Sequence, residues 1–329
     1  MNLSKIIKFF VLLLSIPELI SGTVPGRPVN IVSIAFEPKY NLQQIVQLVS
    51  DEAQKKVDFI ILPETCRGND AESIDGKTID ALSKIAAQYK TYILCPIDRL
   101  SGSQRFNSAV LLDRNGIICQ PIYDKQFPFW NEYQLQPPIT PGSGELPIYD
   151  LDFGRIGVCI CFDINFPSIW QTFADEKVEM VVWPSAYSGG SLLHSYASQH
   201  HFYIVTCTHV PDCTVVDIDG TEILYENKQT PSISHIQLDF DRCIFHCDFH
   251  EEFNGKLDLL LKNHGKDIFV EKQLKRERWF ILKSQTAGVS AREYARAYGL
   301  EELADYINRS KKYRADFHCN VADLCGKNQ

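Results

Sequence analysis

The run Phe59-Ile60-Ile61-Leu62, closed at once by Pro63, constrains this chain more than any other stretch. Four consecutive apolar residues bounded by a turn signal read as a fully buried strand, since a half-solvated strand would alternate polar and apolar side chains. The texture returns at Val29 to Phe36, Tyr92 to Leu94, Gly157 to Cys161, Met180 to Trp183 and Phe202 to Cys207. Between these runs lie segments with helical spacing: Leu42 to Lys55, Ile79 to Tyr89, Ile169 to Asp175 and Leu192 to His201. Ser108 to Leu112 and Ile117 to Ile122 flank Asp113-Arg114-Asn115-Gly116, and Asn-Gly readily supplies positive φ, so a hairpin is expected there. A similar turn stands at Asp217-Ile218-Asp219-Gly220. The order is βαβα with antiparallel hairpins interspersed, which predicts an α/β fold layered as a sandwich over residues 28–250.

Composition narrows the setting. Of 329 residues, 45% are hydrophobic and 22% charged, enough for a core and unlike a disordered chain. The net charge of −8 offers no basic footprint for phosphate backbones, so nucleic acid is not an expected partner. Lys5 and Lys8 precede the apolar run Phe9 to Ile16, and Ile20-Ser21-Gly22 offers a small-residue cleavage point. Residues 1–22 therefore read as a signal peptide, with an uncleaved membrane anchor as the alternative. The mature protein is expected to be secreted or periplasmic, without membrane attachment once the leader is removed. Residues 251–329 read as a C-terminal helical extension: Leu257 to Lys283 is charged and amphipathic, and Ser290-Ala291-Arg292-Glu293 resembles a capping box opening a helix through Ile307. Such helices pack on the main domain or on a second subunit; amphipathicity fits both.

Three stretches put a reactive side chain at the end of a predicted strand: Leu62-Pro63-Glu64, Tyr123-Asp124-Lys125 and Gly157-Val158-Cys159-Ile160-Cys161-Phe162-Asp163. Strand ends are where open α/β sheets build sites. A Glu, a Lys and a Cys meeting there supply a general base, a cation for an oxyanion and a nucleophile. Singly, each is weak, because a Cys in an apolar strand is usually a small hydrophobe.

The ordered set, with Phe166-Pro167 after the second Cys, spacings of 61 and 36 residues, and Val182-Trp183-Pro184-Ser185 further on, resembles the nitrilase, or carbon-nitrogen hydrolase, superfamily over about residues 28–240. The resemblance implies a four-layer α-β-β-α sandwich, a homodimer or higher homo-oligomer, and no metal or organic cofactor. It implies Cys161 as nucleophile, Glu64 as general base, and Lys125 with the backbone N–H of Phe162 as oxyanion hole. Glu132 fits a second glutamate that many members carry, holding Lys125. The implied reaction is hydrolysis of a non-peptide C–N bond in a small linear amide or N-carbamoyl compound through a Cys thioester. Nitrile hydrolysis on the same site, and a silent scaffold, are the alternatives.

Phe127, Phe129, Trp130 and Tyr133 crowd the loop after Lys125. Phe129, Trp130 and Tyr133, with Tyr187, are expected to wall the substrate pocket. Cys159 is expected to pack, and Asp163 to order the turn at Cys161 through backbone hydrogen bonds. Ser168 and Gln199-His200 depart from the family pattern at positions that bear on substrate preference and subunit contacts. Cys243, His246, Cys247 and His250 invite a zinc site, but their spacing matches no standard finger, and half-buried strand thiols are the alternative. Cys319 and Cys325 could close a small loop in the tail. His200, His201 and His209 leave a papain-like Cys-His pair open, although the sequence around Cys161 is not of that kind. Eleven Cys cannot all pair, and a nucleophilic Cys161 must stay free.

Overall fold

The computed structural model describes residues 25–68, 70–248 and 255–326, with side chains to residue 317. The leader reading and His250 lie outside the described residues. The chain runs through β1 (Pro28–Ala35), α1 (Leu42–Ala53), β2 (Phe59–Ile61), β3 (Glu72–Ser73), α2 (Lys77–Tyr89), β4 (Tyr92–Ser101), β5 (Gln104–Leu112) and β6 (Tyr123–Asp124). It continues through β7 (Ile148–Leu151), β8 (Gly154–Val158), α3 (Pro167–Asp175), β9 (Met180–Ser185), α4 (Ser191–His200), β10 (Tyr203–Thr208), β11 (Cys213–Val216), β12 (Glu222–Glu226) and β13 (Ser232–Asp239). A last group follows: β14 (Cys243–His246), α5 (Lys256–His264), β15 (Ile268–Leu274), β16 (Trp279–Ser284), α6 (Ala291–Ala297) and α7 (Leu303–Gly326).

One sheet has the order β13-β1-β2-β4-β5-β6, with β3 beside β4, and a second has the order β12-β11-β10-β9-β8-β7. Neighbours β1, β2 and β4 are parallel, as are β8, β9 and β10. The apolar runs are continuous because alternate residues enter different cores. Val29, Ile31, Phe59, Ile61, Leu94, Ala109 and Leu111 join the central core between the sheets, whereas Val32, Ile34, Ile60, Leu62, Ile93, Val110 and Leu112 pack against α1 and α2. Helix α1 starts where Asn41 and Gln44 cap each other reciprocally. On the second sheet, Trp170 and Phe173 of α3 and Leu193, Tyr196 and Ala197 of α4 complete the central cluster. Helix, sheet, sheet, helix is the layering that the family resemblance implies.

Both glycine turns form, with Gly116 at φ 76 and Gly220 at φ 86. The first hairpin is looser than expected: past the turn only Ile118 bridges back to Leu112, and the ladder resumes at β6. The longest antiparallel pairing, β4 with β5 around Gly102, carries polar residues on its outer half, so only its inner ends at Tyr92–Leu94 and Ser108–Leu112 show as apolar runs.

The C-terminal segment corrects the expected helical extension. Only Lys256–His264 of the Leu257 to Lys283 stretch is helical; Ile268–Leu274 and Trp279–Ser284 form a hairpin whose second strand pairs with β14. Aromatic and β-branched residues at Phe269, Val270, Trp279, Phe280 and Ile281 favour strands despite the charges between them. Strand β14, inside the expected 28–250 domain, thus pairs into this third sheet. The helix expected from Ser290 through Ile307 is two: Ser290 Oγ accepts from Glu293 N at 3.0 Å, but Gly299 at φ 73 separates α6 from α7. Cys319 and Cys325 both lie on the backbone of α7, where six residues rise about 9 Å, beyond the Cα separation a disulfide spans.

An ion network anchors the third sheet to the predicted Asp217–Gly220 turn. Arg242 donates to both oxygens of Asp217 at 2.7 and 3.0 Å and to Glu271 at 2.7 Å, and Lys272 reaches Asp217 and Asp219, each at 2.9 Å. Along β14, Cys243 and Phe245 face the small C-terminal core, Ile244 faces the central core, and His246 stacks on Tyr306. Among the described residues no three His, Cys, Asp or Glu side chains come together to hold a metal, and no helix is long and apolar enough to cross a membrane.

Candidate active site

Three strand ends deliver the reactive side chains. Glu64 follows β2, where Leu62 N still donates to Leu94 O before the chain turns at Thr65. Lys125 follows β6, its N–H donating to Asn107 O at 2.8 Å. Cys161 follows β8 of the other sheet and opens a 3-10 turn, Cys161–Asn165, at φ 48. A non-glycine residue at positive φ is costly and holds only where its surroundings fix it. Trp183 Nε1 donates to Cys161 O at 3.0 Å. Asp163 accepts from Ile160 N at 2.9 Å, Tyr123 Oη at 2.6 Å and Phe127 N at 2.9 Å, tying the turn at Cys161 to the Lys125 loop.

Lys125, with 1% of its side chain exposed, donates to Glu64 Oε1 at 2.8 Å and to Glu132 Oε2 at 2.6 Å. Glu132 Oε2 also accepts from Phe129 N at 2.6 Å. Asn107 Nδ2 donates to Glu64 Oε1 at 2.7 Å and to Glu132 Oε1 at 2.9 Å. Glu64 Oε2 is buried with no donor at hydrogen-bonding geometry, yet the Cys161 thiol is near enough to help hold the carboxylate down.

Burial is the largest influence on each of the three groups. It pushes the Cys161 thiol up to about 12; Glu64 adds to this, while Lys125, the Ser185 hydroxyl and the Ala186 backbone oppose it. Burial also raises Glu64, but the charge and hydrogen bond of Lys125, with Cys161 and Asn107, bring it below the usual carboxylate range. Lys125 is lowered by burial and raised further by Glu64, Cys161 and Glu132, ending above its ordinary value. At neutral pH the site therefore holds a thiol, a carboxylate and an ammonium. A base is charged and waiting beside a nucleophile that still carries its proton.

The expected pocket residues divide. Phe129 packs edge-on against Phe162 and is tilted against Trp130, with centroids 5.4 Å apart in each case. Tyr187 stands edge-on to Trp183; burial and the Cys161 thiol push its hydroxyl up, and the Asn165 side chain opposes them. Trp130, Tyr133 and Tyr187 are 63%, 48% and 40% exposed. Phe127 is stacked on Phe166. Cys159 is fully buried in the central core, its thiol raised by burial and Asp163. The groups acting most strongly on Cys161 include no histidine: His200 stacks beside Tyr196, His201 lies edge-on to Trp279, and His209 bonds Phe36 O. Asn107, Tyr123, Trp183 and Ser185 had no assigned role in the sequence reading. The polar pair Asn107-Ser108, running straight into the apolar Ala109–Leu112 of β5, was the available signal for Asn107.

The carbon-nitrogen hydrolase family matches residues 28–245, more than half of the chain. An omega-amidase of Xenopus laevis is 24% identical over 162 residues, covering 45% of this chain and 58% of the relative, so the chain spans less than two thirds of that protein's length. A citrullinase of Francisella tularensis is 25% identical over 196 residues, covering 55% of this chain and 68% of the relative. Among solved structures, an amidase from Nesterenkonia sp. superposes with a TM-score of 0.57 at 18% identity, covering 67% of this chain and 94% of that one. A carbon-nitrogen hydrolase from Helicobacter pylori gives 0.58 at 15% identity, covering 66% and 90%. At such identities the structures speak for the fold alone. With that fold and a family match spanning both sheets of the sandwich, the chain belongs to the carbon-nitrogen hydrolase family.

Proposed function

We propose that this protein hydrolyses a C–N bond outside peptides, in a small linear amide or N-carbamoyl compound, through a thioester on Cys161. The observation that carries this is the division of labour on Glu64: Oε1 is occupied by Lys125 and Asn107, Oε2 has no donor, and the Cys161 thiol acts on the same carboxylate.

The Cys161 thiol attacks the substrate carbonyl carbon as its proton passes to Glu64 Oε2. Transfer has to accompany attack, because burial holds the thiol up to about 12. Negative charge then gathers on the carbonyl oxygen. Lys125 has three hydrogens and gives two to Glu64 and Glu132, so the third is available to that oxygen. Phe162, second in the 3-10 turn, has an N–H with no partner inside the turn and serves as the other donor. One such donor is typically worth about 3 kcal/mol in the transition state. Glu64 returns its proton to the departing nitrogen as the C–N bond breaks, leaving the thioester. It next takes a proton from water as the hydroxyl oxygen adds to the thioester carbon. The C–S bond breaks, the sulfur regains a proton from Glu64, and the acid departs.

The names of the relatives, an omega-amidase and a citrullinase, support the amide and carbamoyl classes. One structure of the Nesterenkonia amidase carries the acetamide moiety of fluoroacetamide on its active-site cysteine, which supports a covalent role for Cys161. Export by the 1–22 leader and homodimer assembly belong to the same proposal; N-terminal sequencing of the secreted protein and light scattering test them. For the chemistry, Cys161→Ala is assayed for ammonia release from a panel of linear amides and N-carbamoyl compounds. We expect a folded protein without turnover, and undiminished turnover would contradict the mechanism.

A further inference from the structure

Asn107 lies in β5 with 1% of its surface exposed, and its Nδ2 bridges Glu64 Oε1 and Glu132 Oε1. Carboxylate oxygens only accept, so two such partners fix the orientation of the amide with its nitrogen toward them. The bonds close a ring: Glu64 Oε1 to Lys125 Nζ, Lys125 to the Glu132 carboxylate, Glu132 to Asn107 Nδ2, and Asn107 back to Glu64 Oε1. The backbone reinforces it, since Lys125 N donates to Asn107 O.

A ring of this kind fixes geometry as well as charge. Glu64 cannot rotate its carboxylate without breaking two bonds at Oε1, so Oε2 stays turned away from Lys125. Glu132 cannot leave Lys125 without also leaving Asn107. We infer that Asn107 is a positioning residue for the proposed reaction: it clamps both carboxylates through one amide nitrogen, keeping Glu64 Oε2 and the third hydrogen of Lys125 for the reacting groups. This rests on the roles proposed above for Cys161, Glu64 and Lys125. A residue that merely filled space in β5 would leave the protonation of Glu64 untouched.

Protonation is therefore the readout. The groups facing Glu64 are Lys125 from the end of β6, Cys161 from the turn after β8, Asn107 from β5 and Tyr187 from the loop after β9, with Glu132 acting through Lys125 and Asn107. Only Asn107 is altered in the test. Losing its donor weakens the hold on the ionised form, so Glu64 takes its proton at higher pH. Asn107→Asp keeps the size and places a third carboxylate against the other two, which acts in the same direction.

The experiment follows alkylation of Cys161 by iodoacetamide from pH 4 to 9 in the full chain, located by peptide mass, for the wild type, Asn107→Ala and Asn107→Asp. It requires no knowledge of the substrate. Each rate is normalised to the folded fraction by circular dichroism. We expect neutral-pH rates at least about 10-fold lower in both variants, and the acid limb moved up by about one to two pH units in Asn107→Ala. Rates within twofold of wild type with an unmoved limb in either folded variant would overturn the inference, whatever happens to the melting temperature. A wild-type Cys161 that takes no label would instead overturn the catalytic reading, and this inference with it.

Discussion

The ammonium of Lys125 lies 2.8 Å from Oε1 of Glu64, and neither side chain is more than 6% exposed. Together with Glu132 they form one buried unit of two carboxylates around one cation. Removing the cation strands both acids, and breaking a buried pair costs about 3–5 kcal/mol. We therefore expect Lys125→Met to lower unfolding free energy by about that much in urea titrations, and to reduce turnover about 10²- to 10³-fold. Adding Glu64→Gln should restore part of the stability and none of the turnover. A Lys125→Met protein as stable as wild type would show that the carboxylates do not depend on the cation.

Asp163 supplies a pH test with a definite sign. Burial raises it from 3.8 to about 6, against the pull of Tyr123 and the N–H groups of Ile160 and Phe127. With the folded value above the unfolded one, its contribution to stability is complete below pH 3.8 and is lost as pH rises through about 6. Two pH units correspond to about 3 kcal/mol. Wild type minus Asp163→Asn should therefore be more favourable at pH 4 than at pH 7 by about that amount, measured from urea midpoints. A difference independent of pH would contradict the raised value.

Much of this was legible in the sequence, and the reasons differ by element. Phe59–Leu62 announced a buried strand because both of its faces meet apolar layers, and Cys161-Phe162-Asp163 announced a site because the turn needs Asp163 to hold its backbone. The third sheet was obscured by charged residues such as Lys272 and Glu271, which mimic a solvated helix yet pair with Asp217, Asp219 and Arg242. Asn107 carries no motif of its own. Its role depends on two glutamates 43 and 25 residues away in sequence, a relation that only the folded register creates.

Gly157 tests how the second sheet presents the nucleophile. A Cβ there would stand 2.6 Å from the Phe173 ring, so Gly157→Ala must push α3 and β8 apart. Overpacking of this kind costs about 1–3 kcal/mol. We expect a lowered melting temperature and slower alkylation of Cys161, four residues along the same strand end. Phe173→Leu in the same chain should recover part of both.

Arg242 tests the attachment of the C-terminal sheet. It is 8% exposed and is shared by Asp217 and Glu271, which retain Lys272 and Lys283 when it is removed. Arg242→Met should therefore cost about 3 kcal/mol, at the lower end for a broken buried pair. Limited proteolysis should cut the segment after residue 250 sooner than in wild type, while Cys161 continues to react with iodoacetamide. Unchanged proteolysis would mean that the ion network does not hold the sheet.

The most direct test of the central proposal is intact mass of the enzyme, quenched with acid during turnover of a mixed panel of amides, N-carbamoyl compounds and nitriles. We expect an added acyl mass on the peptide containing Cys161, absent in Cys161→Ala and formed far more slowly in Glu64→Gln, whose amide cannot take the thiol proton. Turnover with no adduct on Cys161, or an adduct on Cys159 instead, would contradict it.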